Sequence, residues 1–318
     1  MKRKKISIIG STKVSESHID SFRKANIEVI SCASSLNSNN IKNFSKKNDI
    51  DKFFLNPFEL IENNDWDGLI IASSIKAIPS LLNFALKKNK PILVEKPVDL
   101  GIKYLKNFST SLIKNVNVAY NRRYYSTISF AKKFISRSNE CIVNVKIPEQ
   151  IHLNISNKLS KFHNVYANAC HVIDLMFYLL GNDLKIIQKH DILGKNGRLV
   201  ILKSKNNYCN LLINSNSPDN FSIEIEDGKK RLLLKPIEKL FLYEGMSKLA
   251  PTTIFPLRTY KPKLTLETNI FMSQKYNLKP GFYEQAMDFK RILNSKESKI
   301  SAKLIDAYRV QKLINQII

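Results

Sequence analysis

Over roughly the first 120 residues, short apolar runs alternate with stretches whose apolar positions recur every three or four residues. Ile6-Ser7-Ile8-Ile9 predicts a strand, and the stretch from about Ser15 to Ala25 a helix. Ile27-Glu28-Val29-Ile30-Ser31 predicts a second strand, and Gly68-Leu69-Ile70-Ile71-Ala72 a continuous apolar one. Ile78 to Lys88 is helix-spaced, with Leu81, Leu82, Ala85 and Leu86 on one side, and Pro91–Val94 and Val116–Ala119 read as further strands. Strands this apolar are buried on both faces, which a doubly wound parallel sheet requires, and their alternation with helices is the mark of βαβ units.

After Tyr120 the rhythm changes. Two helical patterns, about Ser126 to Ser136 and Val165 to Leu180, precede strand-like runs at Leu199–Leu202, Tyr208–Ile213, Phe221–Ile225 and Arg231–Leu234. Strands that follow one another through Asn- or Gly-containing turns, without helices between, form antiparallel sheets. Helical patterns at Phe282–Leu293 and Ala302–Ile317 close the chain. The expected fold class is α/β: an N-terminal Rossmann doubly wound parallel sheet over residues 1–119, and an α+β domain with an open, largely antiparallel sheet over 120–318.

Composition narrows the function. No apolar run approaches the roughly 18 residues of a membrane span. Met1-Lys2-Arg3-Lys4-Lys5 resembles the start of a signal peptide, but the apolar run that follows ends at Gly10, short of the roughly 7–15 residues an export signal needs. Cys32, Cys141, Cys170 and Cys209 show no metal-ligand or CxxC spacing, so no metal site is expected, and reduced thiols favour a cytoplasmic location. Lys+Arg number 51 against 27 Asp+Glu, a net charge of +24 that would suit nucleic acid. The lysines are, however, dispersed among Asn and Ile along the whole chain, which argues for a solvated surface or an anionic small substrate instead.

Candidate chemistry gathers where strands end. Gly10-Ser11-Thr12-Lys13-Val14-Ser15 occupies the place of a dinucleotide phosphate loop, although Thr12 and Ser15 stand where G-x-G-x-x-G has its other glycines. Free N–H groups of the following helix, the Ser11 and Thr12 hydroxyls and the Lys13 ammonium would bind pyrophosphate; an ordinary βα turn would look the same. The second strand runs into Ser34, Ser35 and Asn37 with no carboxylate, which favours NADP over NAD. Ser73, past the strand ending at Ala72, and Glu95 with Lys96 are assigned to the same cofactor edge. The Lys96 ammonium there would orient a substrate hydroxyl and stabilise developing negative charge; a capped turn with exposed charges is the plainer alternative. Asn168, His171 and Asp174, spaced i, i+3, i+6, share one helix face that continues into Leu175, Met176, Leu179 and Leu180, with Gly181 as the cap. A lone histidine on such a helix is usually a core residue, and the flanking Asn and Asp are what raise an acid/base role; His18, His152, His163 and His190 have no such company.

In these residues the chain resembles the Gfo/Idh/MocA oxidoreductases, which include glucose–fructose oxidoreductase and inositol dehydrogenase. The resemblance runs through Ile8-Ile9-Gly10 with His18, Asp65-Trp66-Asp67-Gly68, Lys90-Pro91-Ile92-Leu93-Val94-Glu95-Lys96-Pro97 and Ala119-Tyr120-Asn121-Arg122-Arg123-Tyr124. It continues through His171-Val172-Ile173-Asp174-Leu175, about 75 residues beyond Lys96, to Lys279-Pro280-Gly281-Phe282-Tyr283-Glu284-Gln285. The Tyr-Asn-Arg-Arg and Lys-Pro-Gly-Phe-Tyr stretches look like the branch associated with surface-polysaccharide and nonulosonic-acid biosynthesis. The resemblance implies a nicotinamide-dependent hydride transfer at a carbinol carbon of a sugar or nucleotide-sugar, without a membrane partner. It implies Lys96 as catalytic lysine in an often cis Lys-Pro bond and His171 as acid/base, with Asn121 and Arg123 near the nicotinamide and substrate; Arg122, Asn168 and Asp174 are assigned to the substrate site beside them. It also implies a homo-oligomer formed through the C-terminal sheet. Two departures stand out: the glycine-poor loop, and Ala167 where many members carry Asp four residues before the histidine. Either His171 works with Lys96 alone, or another acid such as Glu149 completes the site, or activity is weak or absent. A non-catalytic NADP- or sugar-binding protein on the same fold, and a basic nucleic-acid-binding protein, are the rival readings.

Overall fold

The computed structural model describes residues 3–34, 40–108, 113–149, 163–214 and 217–318. The expected alternation opens it: β1 (Lys5–Ile9), α1 (Lys13–Lys24), β2 (Glu28–Ala33), α2 (Ile41–Lys47), β3 (Lys52–Phe54), α3 (Pro57–Asn63), β4 (Gly68–Ile71), α4 (Ile78–Leu86), β5 (Ile92–Val94) and β6 (Val116–Val118). A 3-10 turn at Asn121–Tyr124 leads to α5 (Ser126–Ser136) and β7 (Ile142–Ile147). A π-helical turn, Val165–Ala169, then runs into α6 (Cys170–Leu180). The meander comprises β8 (Lys185–Ile192), β9 (Gly197–Ser204), β10 (Asn207–Asn214), β11 (Ser222–Glu226), β12 (Lys230–Leu234), β13 (Lys239–Leu249) and β14 (Thr259–Asn269). Last come α7 (Phe282–Leu293), β15 (Ala302–Lys303) and α8 (Leu304–Ile317). No helix among the described residues is long and apolar enough to cross a membrane.

Contacts gather the chain into two compact units. The first is Met1–Tyr124 with Tyr166–Asp174 and Lys275–Gln316; the second is Tyr125–Val165 with Leu175–Gln274 and Ile317–Ile318. Whereas the sequence suggests a single boundary at 119/120, the polypeptide returns twice to the first unit.

In the first unit the sheet order is β15-β6-β5-β4-β1-β2-β3. All neighbours are parallel except β15, which adds antiparallel to β6. The register sets Ile8 between Cys32 and Ile70, and Leu93 between Ile70 and Asn117. The carboxyl ends of β1, β4 and β5 therefore adjoin, which brings Gly10, Ser73 and Glu95–Lys96 to one edge, where open α/β sheets bind ligands. One face of the sheet is covered by α1 and α7, whose Ile19, Phe22, Ala286 and Phe289 join Ile6, Ile8 and Ile70 in a single cluster. Gly68 lets that packing close in, because a Cβ there would lie 2.6 Å from the Leu293 side chain and 3.0 Å from Phe289, which would have to shift.

The second unit holds an eight-stranded sheet, order β14-β13-β12-β11-β7-β10-β9-β8, antiparallel except for the β7–β10 pair. Alternation is clean: Val143, Val145, Leu211 and Ile213 point to a buried face, while Asn144, Leu199, Ile201 and Leu212 point to an open one. The fold is thus α/β, a Rossmann parallel sheet followed by a mixed, largely antiparallel one.

Candidate active site

The turn after β1 is built around Gly10. Its φ is +125°, and a Cβ would sit 2.1 Å from the Ala72 carbonyl oxygen, so no other residue fits. Its N–H donates to Ala33 O at 2.8 Å, while Ala72 N–H donates to Ile9 O at 2.7 Å; the ends of β1, β2 and β4 are tied together here. Thr12 is the N-cap of α1, its Oγ1 accepting from Ser15 N–H and its own N–H donating to the Ser15 hydroxyl. The two hydroxyl residues that replace loop glycines therefore make a capping box, with Ser15 buried, Ser11 half-buried and Thr12 and Lys13 exposed. Ser34 is buried at the end of β2, whereas Ser35 and Asn37 lie outside the described residues. Beyond β4, the buried Ser73 hydroxyl has no hydrogen-bond partner among the described residues.

Past β5 the chain carries Glu95, Lys96 and a cis Lys96–Pro97 bond. Glu95 is gripped by a residue for which the sequence shows no company. The His18 Nε2–H of α1 donates to Glu95 Oε1 at 2.8 Å, and Glu95 Oε2 accepts from the Lys96 N–H at 3.2 Å. Burial pushes the Glu95 carboxyl up, but the His18 hydrogen bond and the charges of His18 and Lys96 outweigh it and hold its pKa below the ordinary range. His18, whose ring is tilted 50° against Phe282 with centroids 4.8 Å apart, thereby couples α1 to the Lys96 loop. The pair is separated by 77 positions, and only the sheet order β5-β4-β1 hints at it.

Lys96 Nζ donates to Ala167 O at 3.0 Å. The residue at the position of the expected carboxylate thus meets the lysine through its backbone, from the π turn. Four positions later stands His171, 6% exposed, with its ring edge-on to Tyr120 at 5.8 Å. His171 Nδ1 has no hydrogen-bond partner among the described residues. Burial lowers its pKa well below the ordinary imidazole value, and the charges of Lys96, Arg122 and Lys279 lower it further. The imidazole is neutral at physiological pH. Burial raises the neighbouring Cys170 thiol to about 12, so that group is not a thiolate nucleophile.

The remaining expected substrate contacts are distributed differently. Asp174 does not orient His171; its carboxylate accepts from Arg123 Nε at 2.8 Å and Nη2 at 2.6 Å, both side chains buried. Arg123 Nη1 also donates to Ile300 O at 3.2 Å and lies 3.7 Å from Asp306. This pair ties the 3-10 turn to the start of α6 and to the residues before β15. Burial raises the Asp174 carboxyl to about 6 against the pull of Arg123, so the pair is ionised at neutral pH. Asn121 Nδ2 donates to Pro280 O at 2.9 Å. Asn168 does not share the His171–Asp174 face: it is exposed while they are buried. The π turn over Val165–Ala169 explains this, since its wider turn breaks the i, i+3 phase that an unbroken α-helix would keep. Arg122 is half-buried and close enough for its charge to act on His171. Glu149, the alternative acid, belongs to the second unit.

Comparison with known proteins agrees with this architecture. Residues 4–120 match the family model described as oxidoreductase family, NAD-binding Rossmann fold, of the Gfo/Idh/MocA group. A 98-residue stretch is 22% identical to myo-inositol 2-dehydrogenase of Thermotoga maritima, covering 31% of this chain and 29% of that enzyme's length. A dehydrogenase from Clostridium difficile has the same fold with a TM-score of 0.71 at 19% identity, over 99% of this chain and 100% of its own. Levoglucosan dehydrogenase, solved in complex with NADH and L-sorbose, has it with a TM-score of 0.73 at 15% identity, over 100% and 96%. Residues 4–120 thus match the NAD-binding Rossmann domain of the Gfo/Idh/MocA oxidoreductases, the family whose motifs the sequence resembles, and the similar solved structures share the fold over nearly the whole chain.

Proposed function

We propose that the protein is a nicotinamide-dependent oxidoreductase acting at a carbinol carbon of a sugar or nucleotide-sugar, with surface-polysaccharide sugar biosynthesis as its setting. The observation that carries this reading is the juxtaposition of Lys96, held on a backbone carbonyl, with a buried neutral His171 whose Nδ1 lacks a partner. An unsatisfied buried nitrogen costs about 1–3 kcal/mol, and a substrate hydroxyl would relieve it.

The cofactor edge fits a dinucleotide. Gly10 leaves the space a Cβ would fill, α1 opens there with its capped N-terminus, and the unpartnered Ser73 hydroxyl lies past the adjoining strand end. Gly10, Ser11, Thr12, Lys13 and Ser73 would hold the dinucleotide, with Glu95–Lys96 at its reactive end. When bound, the nicotinamide supplies the hydride chemistry. Lys96 polarises the substrate oxygen; His171 takes the hydroxyl proton in oxidation and returns it in reduction, help worth about 10²–10⁴-fold. Glu95 and His18 fix the Lys96 loop, and Arg123–Asp174 fixes the helix that carries His171. The NADH and sugar bound by levoglucosan dehydrogenase support the ligand classes. The preference for NADP(H) over NAD(H) is drawn from this chain, because no acid follows β2 before residue 49. Buried thiols at all four cysteines suit a reducing cytoplasm. The open face of the second sheet, with Leu199, Ile201 and Leu212, is the surface through which a homo-oligomer would form.

The test is turnover of a panel of sugars and nucleotide-sugars with NADPH, NADH and their oxidised forms, beside fluorescence titration of both reduced cofactors. The reading expects NADPH to bind more tightly and at least one sugar class to turn over. Cofactor binding with no turnover on any of them would establish the non-catalytic alternative, and tighter NADH binding would reverse the cofactor assignment.

A further inference from the structure

The long hairpin of the second unit leaves its sheet behind. β12 pairs with β13 only as far as Glu244, while β13 and β14 continue to pair with each other as far as Leu249 and Thr259. Every residue from 244 to 267 is exposed except the half-buried Thr259. Its tip is ordered by two hydrogen bonds: Thr252 N–H donates to Phe255 O at 2.9 Å, and Phe255 N–H donates to Thr252 Oγ1 at 3.0 Å. That turn holds Ile254 at 95% exposure, beside exposed Phe255 and Leu257. A two-stranded ribbon is marginal in water, and a bare apolar tip adds to its cost.

The charges on the ribbon name its partner. Between Glu244 and Glu267 there is no acidic residue, but there are Lys248, Arg258, Lys261 and Lys263. Lys248 pairs with Tyr260, and Lys261 with Ser247, so these two cations project from opposite faces and form a collar behind the apolar tip. Pairing two such ribbons would bring the like charges of Lys248, Arg258, Lys261 and Lys263 together, which disfavours the same ribbon of a second copy as its partner. A nucleic-acid backbone would match the cations and leave Ile254, Phe255 and Leu257 in water. A surface that is both anionic and apolar just beneath satisfies both features. We propose that the β13–β14 ribbon docks the protein on an anionic lipid surface, the tip entering the boundary between headgroups and acyl chains while the cations rest on the phosphates. This surface docking is independent of the catalytic reading.

The test is flotation of the full chain with vesicles of phosphatidylcholine alone and of phosphatidylcholine mixed with phosphatidylglycerol. Binding is expected only to the anionic vesicles, and is expected to fall about fivefold for each cation removed, as in Lys261→Gln. It should fall about tenfold or more for Ile254→Ser or Phe255→Ser, and weaken in high salt. The ribbon is exposed, so unchanged thermal melts should accompany these losses. Because the chain has a single tryptophan, the buried Trp66, Phe255→Trp gives a second readout, a blue shift of emission on anionic vesicles. Absence of binding to anionic vesicles overturns the proposal. So does binding that the cation variants weaken but Ile254→Ser and Phe255→Ser leave unchanged, which is surface charge alone. If the tip variants instead shift the protein to a smaller assembly in size-exclusion chromatography, the ribbon belongs to a second copy and the lipid assignment is wrong.

Discussion

Two side chains one turn apart on α6 are treated in opposite ways by the fold. Asp174 meets the Arg123 guanidinium twice, with Asp306 close by, so a buried charge is matched by charge. His171 meets an aromatic edge and the repulsion of three cations, and one ring nitrogen has no partner among the described residues. A fold that needed only stability would satisfy both. Asp174 and Arg123 satisfy each other; the unpartnered His171 Nδ1 and the Lys96 ammonium, held only by a backbone carbonyl, are the groups that the proposed function assigns to substrate.

The sharpest way to break the contrast is at Lys96. Lys96→Met keeps length and removes the ammonium, so turnover should fall about 10²–10⁴-fold with cofactor affinity nearly unchanged. Near-normal turnover in that variant would leave Lys96 a structural residue that ties its loop to the Ala167 carbonyl. On the scaffold side, Asp174→Ala leaves the Arg123 charge buried and should cost about 3–5 kcal/mol of stability in a denaturant melt. Replacing both partners, as Arg123→Leu with Asp174→Leu, should cost clearly less. A small loss in the single variant would mean that Arg123 finds another anion.

What was legible in the sequence follows the same division. The strands β1, β4, β5 and β6 are buried on both faces and mostly apolar, so pattern alone locates them, and Gly10 marks the turn that needs it. The exposed edge strand β8, the short β3 with two of its three residues exposed, and the ribbon strands β13 and β14 show no burial pattern to read. Lys96 and His171 announce themselves by residue type and position. Their surroundings do not: Lys96 reaches across 71 positions to a carbonyl, which no side-chain motif reports, and Arg123 reaches across 51 to Asp174. Nor does sequence spacing reveal a π turn, which is why Asn168 falls off the face that helical arithmetic assigns it.

The two clusters also carry opposite pH dependence. His171 has a lowered folded pKa, so below about pH 6.5 the unfolded chain takes up a proton that the folded chain refuses. Stability from this group is present above that pH and is lost as pH falls, by up to about 1.4 kcal/mol per unit until the folded pKa is reached. Asp174, raised from 3.8 to about 6, has the reverse sign: across that window the folded state holds more protons, so acid favours it. The net profile therefore hides both. Subtracting the stability of His171→Gln from that of the parent at each pH cancels Asp174 and should leave a difference that grows with pH between pH 5 and 7 (about 1–2 kcal/mol). A flat difference would show that His171 titrates normally.

The finest change is at Ala167. The π turn presents this residue's carbonyl to Lys96, and nothing at that position counters the cations around His171. Ala167→Asp places a carboxylate one turn before the imidazole and within the reach of Lys96 that the carbonyl now occupies. A negative charge there favours the imidazolium and offsets part of the Lys96 repulsion, so the His171 pKa must rise. The acid limb of the kcat/KM profile in the oxidation direction, where His171 must be neutral to accept the proton, should then move to higher pH. The limb should disappear in His171→Ala. Rate at the optimum can change little, because the carboxylate that steadies the imidazolium also draws the Lys96 ammonium from the substrate oxygen. An acid limb that stays in place in Ala167→Asp and survives in His171→Ala would remove His171 from the proton path and strengthen the non-catalytic reading.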